Sequence, residues 1–384
     1  MKKFLAMALA LLMVAVLLPV TAMAAETTLP DADGNDVIKL TDNVNLADMA
    51  VVDGRGSNLT LDLNGCTITG SGTVLDVYGT LKIIDSSSAK TGKVVSTGNN
   101  AMWINDNTKV TMEAGTFEGN AYGIVVAGKY AEFTMNGGAA IGEDGSGISG
   151  NGNETDGTPD FAPTTITING GVVTGSDAGI YHPQVGTLNI NGGSISGGSG
   201  IEMRAGTLNV TGGTITATGS PVNVTANGGG PTTVGAAIAV SQHTTKHEIT
   251  VNVNGGELTG AAAIYESDPQ SNGEEHTKNI SITVTGGTLN GTINKNSAAT
   301  VKISGGTFTE TDSIKNYLAD GKVIRNGKVV DNTIVIIVPD NDNTTTTTTE
   351  KPANPSTGSN DFVGVAAAAA VMALLGSAVV LRKK

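Results

Sequence analysis

Cysteine is almost absent from this chain, and its absence excludes one common way of stabilising an exported protein. Cys66 is the single cysteine among 384 residues. One cysteine forms no internal disulfide, so the chain is not a disulfide-stabilised scaffold and its stability comes from elsewhere. We expect Cys66 to be a small, half-buried core residue rather than a reactive thiol.

Positive charge is also scarce. Lysine and arginine number 22 against 35 acidic residues, which gives a formal net charge of −13. The two terminal segments described below carry five of these cations and one aspartate, so their removal changes the net charge to −17. A surface this acidic argues against nucleic acid and anionic membranes as partners.

Aromatic residues make up only 3 % of the chain and charged residues 15 %, whereas glycine contributes 53 residues. A helix-rich domain does not accept this much glycine, because each one costs roughly 1 kcal/mol relative to alanine inside a helix. Many short strands joined by tight turns do accept it. The composition therefore predicts an all-β protein.

One phrase of eight residues returns along the chain. Each copy alternates apolar and polar residues, continues into a glycine turn and ends in a second short strand. The copies are residues 61–68, 110–117, 133–140, 166–173, 188–195, 208–215, 251–258, 282–289 and 301–308.

A third short strand, commonly Gly-Ile or Ala-Ile, follows these copies. Its occurrences are residues 74–77, 103–105, 123–126, 147–149, 179–181, 200–203, 237–240, 263–265 and 292–294. The shortest units, such as the one from Ile104 to Ile124, are about 20 residues long, which is the length of one coil of a parallel β-helix. Longer units predict loops at residues 150–163, 219–231, 241–247 and 267–278.

Taken with these repeats, residues 59–68 resemble the opening coil of secreted β-helix proteins of the pectate-lyase-like superfold. The resemblance covers about residues 36–338, and it implies an all-β, right-handed parallel β-helix of about nine coils. A β-sandwich array is the alternative. Its strands would alternate over longer runs, and the third strand would have no reason to recur.

A solenoid needs capped ends, because its terminal coils expose strand edges and apolar surface. We assign residues 25–58 to an N-terminal β cap, 59–310 to the β-helix and 311–338 to a C-terminal cap. That last cap combines a helix, N-capped by Thr311 or Asp312 and ending at Gly321, with a hairpin that turns at Asn326-Gly327. Residues 339–353, rich in Thr, Asn and Pro, predict an extended stalk.

The first 24 residues predict a secretory signal peptide. Lys2 and Lys3 precede an apolar core over residues 4–20, and a small-residue cleavage site ends at Ala24. An N-terminal membrane helix is the alternative, and the cleavage site directly after the apolar core disfavours it.

The C-terminal segment, residues 354–384, has the features of a targeting signal. It begins with the pentapeptide Asn354, Pro355, Ser356, Thr357 and Gly358. An apolar stretch follows over residues 362–381, which as a helix would be about 30 Å long and could cross a bilayer. Three cations end the chain and would hold the tail in the cytoplasm.

This arrangement resembles the LPxTG-type cell-wall sorting signal of Gram-positive surface proteins, with asparagine in place of leucine. The resemblance implies that a sortase cleaves between Thr357 and Gly358 and joins the chain covalently to peptidoglycan. A permanent single-pass membrane anchor is the alternative. Membrane contact is then expected only through this segment.

The third strands also supply the candidate ligand face. If each Ile points inward, the following residue points outward. The outward row would be Asp76, Asn105, Val125, Ser149, Tyr181, Glu202, Ala239, Tyr265 and Asn294. Exposed tyrosines can pack against sugar rings. The candidate face is therefore Asn105, Tyr181, Glu202, Arg204 and Tyr265.

Catalytic and metal sites have weaker support. β-helix enzymes that cleave polyuronides use carboxylates on adjacent coils, whereas Glu202, with Arg204 nearby, has no such neighbour. Three groups of possible metal ligands also lack the expected context: the pair His243 and His247, residues 274–276, and an imperfect Ca²⁺ loop over residues 31–42. We assign no catalytic residue, metal or cofactor.

The sequence therefore predicts an exported, cell-wall-attached display or adhesion protein, with sortase and peptidoglycan as partners. An extracellular glycan or host-surface molecule would be the ligand, bound along one face of the β-helix. The alternative is a carbohydrate-active enzyme, either a polysaccharide lyase or a glycosidase, which acts on a plant or host glycan.

Overall fold

Alternating apolar and polar residues form short strands that wind into a right-handed parallel β-helix. The computed structural model describes residues 27–152, 163–339 and 345–350. Each coil except the last described one contributes strands to three faces, and strands of the interior coils pair in parallel with the equivalent strands of the coils before and after them. The predicted fold is confirmed.

The first face carries the strands that open the repeated phrase. They are Val37–Lys39, Lys109–Met112, Glu132–Met135, Thr164–Ile168, Gly186–Ile190, Gly206–Val210, Ile249–Val253, Ile280–Val284 and Thr300–Ile303, together with the second halves of Ala50–Asp62 and Leu75–Ile84.

The second face follows the glycine turn. Its strands are Val44–Asn45, Thr67–Gly70, Lys93–Ser96, Thr116–Gly119, Ala139–Gly142, Val172–Gly175, Ser194–Gly197, Thr214–Ala217 and Thr307–Phe308, together with the first halves of Glu257–Ser267 and Thr288–Lys295.

The third face holds Asn100–Ile104, Tyr122–Val126, Ile148–Gly150, Ala178–His182, Ser199–Met203 and Ala236–Ser241, together with the remaining halves of the four long strands. All nine predicted third strands lie on this face. The start of Ala50–Asp62 adds another, because Ala50 pairs with Leu75. The segment predicted as an N-terminal cap is therefore itself a coil of the solenoid.

The glycine turn between the first and second faces packs directly on its neighbours. At Gly192 a Cβ atom would lie 2.4 Å from the carbonyl oxygen of Asn169, so a side chain has no room. Gly193 has φ of +80°, in the left-handed region that favours glycine. Beside these glycines, the Asn191 amide donates to Asn169 Oδ1 at 2.9 Å and ties adjacent coils together.

The core is one continuous aliphatic stack along the solenoid. Ile180, Ile201 and Ile238 pair in register on the third face and are fully buried. Burying a side chain of this size contributes about 1.5–3 kcal/mol. Cys66 is half-buried and packs against this core, as the sequence predicted.

The C-terminal end is closed by a 3₁₀ helix, Thr311–Tyr317, and by strands Lys322–Arg325 and Lys328–Asp331. Ile314 is fully buried, and the N–H of Ala319 donates to the carbonyl of Ile303 at 2.8 Å. The N-cap position is Glu310, not Thr311 or Asp312, and no side chain caps it. The predicted turn is present, since Asn326 and Gly327 both have positive φ.

One short α-helix, Glu274–Thr277, lies in the loop predicted at residues 267–278. A second small unit begins after Val330. Within it, strands Ile334–Pro339 and Thr345–Glu350 pair antiparallel. Part of the predicted stalk, residues 345–350, is therefore a paired strand, and threonine is a residue type that favours strands.

No helix among the described residues is long and apolar enough to span a membrane. The predicted segment 362–381, the pentapeptide at 354–358 and the cleavage site at Ala24 all lie outside the described residues. These assignments stay predictions.

Candidate functional site on the first coils

The outer surface of the third face brings two rows of side chains together on the first three coils. Val52, Val77 and Ile104 point inward and are buried. The residues flanking them therefore point outward, and the strand register aligns them at about 4.8 Å intervals. One row is Val51, Asp76 and Trp103, and the other is Asp53, Tyr78 and Asn105. We call these six residues, with Arg55 and Asp106, the N-terminal face.

Arg55 and Asp53 form a two-point ion pair beside Tyr78. The guanidinium donates from Nε to Asp53 Oδ1 at 2.8 Å and from Nη2 to Oδ2 at 2.5 Å. These hydrogen bonds hold the pKa of Asp53 at about 2, so the carboxylate stays ionised. The guanidinium also lies 5.1 Å from the centre of the Tyr78 ring, a cation–π distance.

Asp76 links the two rows. Its Oδ1 accepts a hydrogen bond from the Asn105 amide at 2.6 Å. The other Asn105 amide hydrogen goes to the carbonyl of Val77 at 3.1 Å, which leaves Asn105 Oδ1 as the acceptor that this side chain offers. The pKa of Tyr78 is raised, mainly by a hydrogen bond to Asp76 and next by the negative charge of that carboxylate.

The corner after this face carries more exposed polar and aromatic groups. Asp106 is exposed, and its Oδ1 accepts the backbone N–H of Lys129 at 2.7 Å. The N–H of Asn107 in turn donates to the Lys129 carbonyl at 2.8 Å, so the two turns stack. Tyr130, on the second turn, is 57 % exposed in this aromatic-poor protein.

Six residues of the N-terminal face and the corner after it line an open groove of about 460 Å³. Its lining residues are Arg55, Tyr78, Gly79, Asn105, Asp106 and Asn107. A second groove of about 410 Å³, near residues 268–298, has no aromatic residue in its lining. The first groove therefore has the better composition for holding a sugar ring.

The structure separates the residues that the sequence assigned to one ligand face. Asn105 is not in the predicted row. The residue paired with Asp76 and Val125 is Trp103, and Asn105 lies two residues after it, in the other outward row. Strand Asn100–Ile104 has two inward residues, Met102 and Ile104, and Met102 is the partner of Ile124. The other residues of the predicted row follow the register.

Tyr181, Glu202 and Arg204 are covered, which corrects the prediction that they form an exposed face. Tyr181 is 5 % exposed, and Glu202 and Arg204 are fully buried. Residues 223–234 form a hairpin with strands Asn223–Val224 and Thr233–Val234. We call this the covering hairpin.

Glu202 binds one end of the covering hairpin. Its two carboxylate oxygens accept the backbone N–H of Thr232 at 2.8 and 2.9 Å, and Oε2 also accepts the N–H of Thr233 at 3.1 Å. The hydroxyls of Thr232 and Ser241 each donate to Oε1 at 2.7 Å. Both oxygens of this carboxylate therefore serve to hold the hairpin in place.

Arg204 binds the other end. Its Nη1 donates to the carbonyls of Asn227 at 2.8 Å and Gly230 at 2.6 Å, and to Tyr181 Oη at 3.2 Å. Nε donates to the carbonyl of Ser241 at 3.2 Å. In the described part of the chain, no ion pair joins Arg204 to Glu202.

Tyr265 remains half-buried and packs against Ala236, Ala239 and Ala262 on the third face. His243 points its Nε2 to the carbonyl of Gly228 at 2.9 Å, in the covering hairpin. Asp33, in the suspected Ca²⁺ loop, accepts the N–H groups of Asn35 and Val37 through one oxygen, as in a turn. Over the described ranges, no three His, Cys, Asp or Glu side chains cluster as metal ligands.

The predicted ligand face does not include Asp53, Arg55, Tyr78 or Trp103. Asp53 and Arg55 lie in the segment predicted as a cap, and the predicted face is one outward row whereas the third strands carry two. Residues two apart on a strand point to the same side of the sheet. The spacing of Asp53 with Arg55, and of Asp76 with Tyr78, could therefore have indicated this outward surface.

Searches with protein-family models, with curated proteins and with solved structures found no match to this chain.

Proposed function

We propose that this protein is exported, attached to the cell wall by a sortase, and displays a glycan-binding surface, the N-terminal face. Its location would be the extracellular side of the wall, with peptidoglycan as the covalent partner. The sequence features at residues 1–24 and 354–384 support export and attachment. The groove lined by Tyr78 and Asn105 supports the binding role.

The observation that carries the binding role is the combination of the Tyr78 ring in the groove with fixed polar groups; Trp103 adds a second ring in the neighbouring outward row. Sugar rings pack their C–H faces on aromatic side chains, and their hydroxyls bond to planar groups held in place. Here the Asp53–Arg55 pair and the Asp76–Asn105 pair are fixed by hydrogen bonds of 2.5–2.8 Å. A ligand therefore meets side chains that are already ordered, which lowers the entropy cost of binding.

A carbohydrate-active enzyme is the second candidate, because Asp53 and Asp76 lie on adjacent coils. A glycosidase needs one carboxyl group that can donate a proton near neutral pH. The Arg55 hydrogen bonds hold the pKa of Asp53 at about 2, which suits an ion-pair partner and not a proton donor. Asp53 is therefore suited to an ion pair with Arg55.

A glycan array probed with the full-length chain tests the binding role. We expect Trp103→Ala and Asn105→Ala to lower binding at least tenfold. Asn105→Ala also removes the hydrogen bond to the nearly buried Asp76, so thermal denaturation accompanies the binding measurement. Tyr265→Ala is the control, because it removes an aromatic side chain from the same face several coils away. Equal loss in the Tyr265 variant would place the ligand elsewhere, and release of reducing sugars or unsaturated products would support the enzyme.

A further inference from the structure

The outer surface of the first face is uncharged over five consecutive coils. These coils run from strand Thr164–Ile168 to strand Ile280–Val284. On each coil three residues point outward, two beside the central buried residue and one directly after the strand. All of them are Thr, Ser or Asn, and all are half-buried or exposed. We call this surface the Thr/Asn array. Charged residues return on the coils before and after it, at Glu132 and Lys302.

Hydrogen bonds between coils hold the carboxamides of the array in line. The Asn209 amide donates to Asn189 Oδ1 at 3.0 Å, and the Asn252 amide donates to Asn209 Oδ1 at 3.0 Å. A carboxamide has two N–H groups and an oxygen that can accept twice, so Asn209 keeps one donor and one acceptor for a ligand. The Thr207 hydroxyl, beside it, makes no hydrogen bond to the described residues. The array therefore presents ordered groups that both donate and accept.

The dimensions of the array suit a single polymer chain better than a folded protein. Four intervals between coils give a length of about 19 Å, and four residues along a strand give a width of about 13 Å. The resulting area of about 250 Å² is well below the roughly 800 Å² that each partner contributes to a stable protein interface. A strip of this shape can hold one chain that lies along the solenoid axis.

Charge defines the chemistry of that chain. An ionised ligand would lose water here without meeting an opposite charge, which costs free energy. The net charge of −13 also repels anions from the whole surface. Sugar hydroxyls, which donate and accept, are complementary to threonine hydroxyls and carboxamides. We infer that the Thr/Asn array binds an uncharged, extended polysaccharide. This is a second surface on a different face of the solenoid, and it uses no residue of the N-terminal face.

The repetition of the array predicts that binding depends on chain length. The array has no aromatic residue, so each sugar gains only hydrogen bonds, and affinity comes from several equivalent coils that bind one chain together. Insoluble β-1,4-linked glucan, mixed with the full-length protein, measures binding by the protein left in solution. We expect the soluble glucose hexamer to compete about tenfold better than the dimer. Immobilised polygalacturonic acid should retain little protein.

Thr207 and Thr216 provide matched variants on one coil. Both are half-buried, but Thr216 lies on the second face, in strand Thr214–Ala217. Thr207→Glu should weaken glucan binding about tenfold or more, because it places an unpaired charge under the ligand. Thr207→Val keeps the shape, removes the hydroxyl and should weaken binding about threefold. Thr216→Glu and Thr216→Val should bind as the wild type does, and thermal denaturation of all four variants compares their folding.

Each outcome bears on one of the two surfaces. Equal effects at Thr207 and Thr216, equal retention by polygalacturonic acid, or no binding of the glucan would overturn the inference. Loss of glucan binding in Trp103→Ala but not in Thr207→Glu would overturn it in favour of the N-terminal face. Normal glucan binding by Trp103→Ala would support a separate surface, even if the glycan-binding role of the N-terminal face were to fail.

Discussion

The carboxylate of Glu202 accepts the backbone N–H of Thr232 at 2.8 Å, across 30 residues of sequence. This contact joins the outward side of the third face to the covering hairpin and converts a candidate ligand residue into a buried anchor. The cost of burying this carboxylate is offset by charge-assisted hydrogen bonds from four donor groups of two threonines and one serine.

Replacing Glu202 should therefore loosen the covering hairpin. Glu202→Gln keeps the shape but turns an amide NH₂ toward N–H donors, and hydrogen bonds to a charged group are each worth about 1.5–3 kcal/mol. We expect a loss of roughly 3 kcal/mol in chemical denaturation and faster protease cleavage within residues 225–231. Glu143→Gln, at an exposed position, should change neither. Unchanged cleavage of the Glu202 variant would show that other contacts hold the hairpin.

His182 should make the protein sensitive to mild acid. It points into the core beside Met203, is fully buried, and its ring nitrogens have no hydrogen-bond partner among the described residues. Burial lowers the pKa of His182 from 6.5 to about 4. As the pH falls below 6.5 the unfolded chain takes up this proton first, so stability is full above pH 6.5 and declines toward pH 4.

His182→Met should remove this decline, because methionine has no proton to exchange in this pH range. The side chain should fit, since methionine already occupies the paired position, Met203, on the next coil. At 1.36 kcal/mol per pKa unit, the wild-type protein should lose about 3 kcal/mol between pH 6.5 and pH 4 from this group alone. Denaturant titrations at a series of pH values measure the difference between the two proteins. Parallel curves would mean that water reaches His182.

Ile201 tests the inward direction of the third face. It is fully buried, so Ile201→Ala should cost 2–5 kcal/mol, and Ile201→Asp should abolish cooperative folding by placing an unpaired carboxylate between coils. Val172 is 46 % exposed on the second face, and Val172→Asp should fold with a stability change of about 0.5 kcal/mol. Similar destabilisation by both aspartates would contradict the observed alternation.

Attachment is tested by Thr357→Ala. In the proposed attachment, a sortase thiolate would attack the Thr357 carbonyl, the peptide bond to Gly358 would break with release of the Gly358 amine, and the acyl group would then pass to an amine of the wall peptide. The wild-type protein should end at Thr357 and be released by muralytic enzymes but not by detergent. The variant, or loss of the sortase, should move the protein into the detergent-soluble fraction with its tail intact. Detergent extraction of the wild-type protein would instead indicate a permanent anchor.

The repeated phrase was sufficient to predict most of the solenoid. Period-two alternation determines which side chains point inward. The predicted third strands all lie on one face and run parallel to one another, as expected. The prediction of Asn105 as a row member was wrong because a strand with two inward apolar residues, Met102 and Ile104, can be aligned on either. The first coil lacks the Asn-Gly-Gly phrase, so its sequence predicts a cap instead of a coil.

By itself, then, the sequence determined the β-helix, its three faces and the inward or outward direction of most strand residues. Local alternation is enough for this, since each coil repeats the contacts of the one before. The tertiary structure decided which outward residues reach solvent. The covering hairpin buries Glu202 and Arg204 through hydrogen bonds to distant backbone groups, and no periodicity encodes these. Stacking likewise brought Asp53, Tyr78 and Asn105 from three coils into one row, because neighbours across a parallel sheet are separated by a whole coil of sequence.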